Sequence, residues 1–122
     1  MGLDQSVMSI STKPATPVDF KTDEEPYEVQ YWRKHPNLHG WMEELYYKKG
    51  GKAESFNCVP VELTLEDIDR LEEAIQTGQL PETQGFFFGK TTGDEEIQDL
   101  EFCHRARKLL ERGEYLYYDS WW

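Results

Sequence analysis

Tyr27-Glu28-Val29-Gln30-Tyr31-Trp32-Arg33 alternates large apolar with polar side chains, and Pro36 follows three residues later. A period of two puts alternate side chains on opposite faces of a half-buried strand. Outward from that stretch, Pro36 presets the backbone for a first helical turn. Leu38, Trp41, Met42, Leu45 and Tyr46 then recur at spacings of three and four, an amphipathic stripe that stops at Gly50-Gly51. Val59-Pro60-Val61 is compatible only with a short edge strand, because Pro60 has no N–H to give to a ladder. Thr64 with Asp67 starts a second helix in the manner of a capping box, Leu65, Ile68, Leu71 and Ile75 share its apolar face, and Gly78 ends it. Gly85-Phe86-Phe87-Phe88-Gly89 is too short for a helix and too apolar for a loop, so it is expected to be a strand covered on both faces. Thr92 with Glu95 repeats the capping signal. A third helix then carries Ile97, Leu100, Phe102, Cys103, Ala106, Leu109 and Leu110 up to Gly113, and Tyr115 to Trp121 reads as a closing strand. The expectation is α+β: a small antiparallel or mixed sheet of about three strands, 27–33, 86–88 and 115–121, with three helices packed on it.

The 122 residues allow one domain. Thirteen basic against 24 acidic side chains leave a net charge of −11, which opposes contact with nucleic-acid phosphates over the whole surface. A mean hydropathy of −0.78 leaves no run able to span a membrane. Residues 1–26 hold a single aromatic, Phe20, and three prolines among Ser, Thr, Lys and Asp. They are expected to form a flexible N-terminal arm ahead of a single α+β domain over 27–122. The Met1 end has no basic n-region and no apolar run of 7 to 15 residues, so it does not read as a secretory signal, and a cytoplasmic location is expected.

Tyr31-Trp32-Arg33-Lys34, His39-x-Trp41, Leu80-Pro81-x-Thr83-x-Gly85-Phe86-Phe87-Phe88-Gly89, Asp94-Glu95 and the ending Asp119-Ser120-Trp121, in that order, resemble a family of small bacteriophage and prophage proteins of unknown function. The resemblance covers about residues 27 to 122. It implies a phage-associated, cytoplasmic accessory protein and supplies no catalytic residue. Some members of that family are labelled phosphoglycerate kinase. That activity requires two lobes closing on two substrates, which one domain of this size does not supply.

The candidate chemistry has plain alternatives. Gly85 to Thr91 imitates the end of a phosphate-binding G-x-x-x-x-G-K-[ST] loop. It is one residue short, however, has three Phe where small residues must expose backbone N–H groups, and is followed by the acids Asp94, Glu95 and Glu96. Among His35, His39, Cys58, Cys103 and His104 there is no C-x-x-C pair, and Pro36 breaks the register between the first two, so no metal ligand set is assigned. No cofactor is expected. Cys103 and His104 are sequence neighbours, yet adjacent residues point to different faces of a helix. Trp32, Trp41 and Tyr47 lie near Arg33, Lys34, Lys48, Lys49 and Lys52, an arrangement a single-strand binder could use, but the overall charge opposes it.

Glu62 to Glu73 contributes six acids against Arg70, and Asp94 to Glu101 five without a cation. If the two stretches share a surface, they suit a basic partner groove. The expectation is therefore a protein-binding or host-modulating module whose partner is a host or phage protein. Its candidate interaction surface is Glu66, Asp67, Asp69, Glu73, Asp94, Glu95, Glu96 and Trp122. The alternatives are a small enzyme of unrecognised type and, third, a single-stranded nucleic-acid binder. Trp121 is expected to pack, whereas Trp122 is left between capping the sheet and lying exposed.

Overall fold

A computed structural model describes residues 2–85 and 88–122. Along the chain it contains β1 (Asp4–Ile10), β2 (Tyr27–Arg33), α1 (Pro36–Lys48), β3 (Val61–Leu63), α2 (Leu65–Gln76), α3 (Glu96–Glu111) and β4 (Tyr115–Trp121). The fold is α+β, with three helices and an antiparallel sheet of four strands in the order β2-β1-β4-β3.

The first correction concerns the N terminus. Residues expected to form an arm contain β1, an inner strand paired to β2 on one side and to β4 on the other. Leu3, Gln5, Val7 and Ser9 are all buried, so the domain includes the segment that was set outside it. Two of the inward positions are polar, which hides the alternation. Gln5 is affordable there because its amide closes on the backbone of His35, donating from Nε2 to the carbonyl at 3.0 Å and accepting the N–H on Oε1 at 2.8 Å. Ser9 donates to Glu114 at 2.6 Å. Two later residues of the first 26 also reach the sheet: Val18 makes an isolated bridge to Val61, and the Phe20 ring meets Tyr117 edge-on at 5.4 Å.

The second correction concerns the strand expected at 86–88. Phe86 and Phe87 lie outside the described residues, and Phe88 is not in a strand. Its N–H bonds to the Gly85 carbonyl at 3.1 Å and its buried ring packs on Trp122. β2 and β4, by contrast, coincide with the two strands expected at those positions. The edge strand near Pro60 exists but runs Val61–Leu63, just past the proline.

All three helices cover one face of the sheet. That core contains Val7 and Trp32 from the sheet, Leu38, Met42 and Leu45 from α1, Ile68, Leu71 and Ile75 from α2, and Phe102, Cys103 and Ala106 from α3. The α2 capping box forms as expected: Thr64 accepts the Asp67 N–H, and the Asp67 carboxylate accepts the Thr64 N–H at 2.9 Å. The expected box at Thr92 forms only in part. The Glu95 carboxylate accepts the N–H groups of Thr92 and Gly93 in the turn before α3, while Glu95 itself is the N-cap residue and its side chain makes no cap bond. Among the described residues no helix is long and apolar enough to cross a membrane.

Candidate functional site

Two surfaces place chemistry-bearing side chains together. The first lies where β2 hands over to α1. His35, the N-cap residue of α1, is 2% exposed. Its Nε2 lies 2.7 Å from Asp99 Oδ2 on α3, and its Nδ1 lies 3.0 Å from the Thr91 hydroxyl. The other Asp99 oxygen accepts the indole N–H of Trp32 at 2.9 Å. A carboxylate only accepts, so in the neutral imidazole the proton sits on Nε2 and Nδ1 accepts from Thr91. Thr91 Oγ1 also accepts the backbone N–H of Asn37, in the first turn of α1, at 3.1 Å. Glu95 stands 3.8 Å from His35 Nδ1. Burial pushes the Glu95 carboxyl up, but the hydrogen bonds from Thr92 outweigh it and leave the group below the usual carboxylate range.

Thr91 and Asn37 form the ridge between two clefts. One, of about 680 Å³, is polar and lined by Glu82, Thr83, Gln84 and Lys90. The other, of about 190 Å³, reaches Ile75 and Leu80. Gly40 brings the wall of the larger cleft close, since a Cβ there would sit 1.9 Å from Thr83 Oγ1. The phosphate-loop imitation ends at this ridge: Lys90 is exposed, but α3 begins only at Glu96, so no helix N-terminus follows the lysine directly.

The second surface is the sheet face opposite the helices. Register places Arg33, Asp4 and Trp121 side by side across β2, β1 and β4, with Tyr31, Ser6 and Asp119 in the next row. Ile10, Phe20 and Tyr117 cover the far end of this face, while Trp121 is 69% and Tyr31 44% exposed. Burial raises the Asp119 carboxyl above its ordinary range.

The two tryptophans at the end of the chain differ in burial. Trp121 ends β4 pointing away from the core, opposite Asp4, and does not pack as expected. Trp122, just beyond the strand, is half-buried: its indole N–H donates to the Phe56 carbonyl at 3.0 Å and its ring meets Phe88 at 5.0 Å.

The acidic candidates are not gathered on one patch. Arg107, late in α3, bonds to Asp69 and Glu72 in the first two turns of α2, and Ile75 at the far end of α2 lies beside Glu95, Glu96 and Asp99. The two helices are therefore antiparallel, and their acidic beginnings sit at opposite ends of the pair, separated by about the 18 Å length of a 12-residue helix. Several of these acids are also engaged. Asp67 is buried and paired with Lys49, Glu66 pairs with Arg70 at 2.5 Å, Asp69 with Arg107 at 2.9 Å, and Asp94 accepts from the Thr92 hydroxyl. Glu73 and Glu96 are exposed.

The remaining residues weighed in the sequence scatter. Cys58 is exposed and Cys103 buried, and burial pushes the Cys103 thiol up to about 12, which keeps it a thiol. His104 is exposed. His39 is buried with Nδ1 at 2.8 Å from the Tyr118 hydroxyl. No group of three or more His, Cys, Asp or Glu among the described residues is placed to hold a metal ion. Trp32 is buried and cannot stack on a base, and Lys49 is taken up by Asp67. What the sequence missed is the Thr91, His35 and Asp99 contact, assembled from residues 56 and 64 apart, for which no spacing could signal.

No protein-family model, curated protein or solved structure matches this chain.

Proposed function

We propose that this protein is a phage-type accessory module that binds a host or phage protein through the sheet face bearing no helix. The observation that carries this reading is the exposure of Trp121 and Tyr31 on that face. Large aromatic side chains left in water on a flat surface are the residues that anchor protein interfaces. Charge on the same face favours a basic partner, since Asp4, Asp119, Glu28 and Glu62 share it, against Arg33 beside Asp4 and Lys13 near Glu62. The exposed carboxylates of α2 and α3 add to the net −11 that draws such a partner in, without forming its docking site. The phage association rests on the sequence resemblance.

The experiment is capture from host lysate with paired variants. Trp121→Ser with Tyr31→Ser should lose the protein that the wild type retains at moderate salt. A Glu73→Gln, Glu96→Gln variant should keep it and show a weaker salt dependence. Retention by the first variant, or loss by the second alone, moves the interaction to the helices and overturns the reading.

A further inference from the structure

We infer that Thr91 is the nucleophile of an acyl-transfer site, with His35 as its general base and Asp99 as the residue that positions the base. This activity is separate from the binding role and rests on other residues. Three parts of nucleophilic catalysis meet at one oxygen. The Thr91 hydroxyl lies 3.0 Å from a nitrogen able to take its proton, and that imidazole is held from behind by a buried carboxylate at 2.7 Å. The carboxylate is itself oriented by Trp32, the Gln5 amide holds the His35 backbone, and the ring is held by its contacts to Asp99 and Thr91. The third part is a fixed donor: the Asn37 N–H, in the first turn of α1, donates to Thr91 Oγ1 at 3.1 Å and holds the attacking oxygen with its own proton directed at His35.

Access completes the case. A residue serving only to tie the core would be enclosed, but Thr91 is half-exposed on the ridge between two clefts of different character. The smaller cleft, where Ile75 and Leu80 lie beside the carboxylates of Glu95, Glu96 and Asp99, has room and apolar surface for a short acyl group only. The larger, with Asn37, Gln84 and Lys90, suits a polar alcohol or thiol leaving group. The substrate class is thus a short-chain ester or thioester. In acylation the Thr91 oxygen bonds to the carbonyl carbon, its proton passes to His35 Nδ1, and the bond from that carbon to the leaving oxygen or sulfur breaks as the proton is returned to the leaving group. In deacylation water attacks the same carbon, gives its proton to His35, and the acyl–Thr91 bond breaks with return of the proton to Thr91. The sum is ester plus water to acid plus alcohol.

The probe is p-nitrophenyl acetate, with release of nitrophenolate followed by absorbance and the acetylated residue located by peptide mass mapping. The inference predicts acetyl on Thr91, at least a tenfold drop in the rate for Thr91→Ala, and activity retained in Thr91→Ser. Asp99→Asn should lower the rate at saturating probe per folded molecule and alter its pH profile, neither of which a loss of folded protein alone would do. Because His35 and Asp99 are buried, each variant is compared by its thermal transition; if His35→Gln or Asp99→Asn fails to fold, the Thr91→Ala and Thr91→Ser pair decides alone. Acetylation confined to lysines, or equal hydrolysis by folded Thr91→Ala, overturns the inference.

Discussion

His39 shows how one side chain ties the aromatic core to pH. Its ring is 1% exposed and lies among Phe56, Phe88, Tyr118 and Trp122, with Nδ1 on the Tyr118 hydroxyl and Nε2 without a hydrogen-bond partner among the described residues. Burial pushes its pKa down to about 4. In the unfolded chain the ordinary value is about 6.5, so as pH falls below 6.5 the unfolded state takes up a proton that the folded state refuses. Stability is complete above about pH 6.5 and declines toward pH 4, by roughly 3 kcal/mol at most. Denaturant titrations at pH 7.5 and 4.5 should show this loss in the wild type and much less of it in His39→Phe. An equal loss in both would assign the acid sensitivity elsewhere. His39 entered the sequence reading as a possible ligand, and its position two residues before Trp41 says nothing of the four rings that enclose it. Those rings come from three separate parts of the chain, which is why the burial was not legible.

The helices and strands divide by how much of their information is local. β2 was readable to the residue because it combines alternation with aromatic side chains, and β4 because four of its seven residues are aromatic between Gly113 and the end of the stretch. α2 was readable because its cap, its apolar stripe and its terminal glycine all fall within 15 residues. β1 was not, because its inward Gln5 and Ser9 take partners at positions 35 and 114, and burial of a polar residue with a distant partner leaves no periodic trace. The α2 start can be measured directly. Thr64→Ala should cost about 1 kcal/mol, the usual value of an N-cap bond. Asp67→Ala should cost more, roughly 3 kcal/mol, because it also strands the partly buried Lys49 ammonium. Equal costs in chemical denaturation would mean that the Lys49 contact contributes nothing.

For the whole molecule, the two ends of the chain make the centre of the sheet. β1 and β4 pair along their full lengths, from Asp4 opposite Trp121 to Ile10 opposite Tyr115, so the sheet is not complete until the last strand is in place. Removing residues 1–10 should therefore abolish the cooperative thermal transition followed by circular dichroism. A transition left unchanged would restore the arm that the composition suggested. The same pairing sets Trp121 on the open face, next to the inner strand and two strands from Tyr31. With every helix on the other side, this face is where a partner can reach the sheet. The most direct measurement places a photo-crosslinking amino acid at position 121 and, as a control of equal exposure, at Ile97 on α3, which is 72% exposed. Irradiation in host lysate should join one discrete protein to position 121 and none to position 97. The same protein at both positions, or at 97 alone, would contradict docking on the open sheet face.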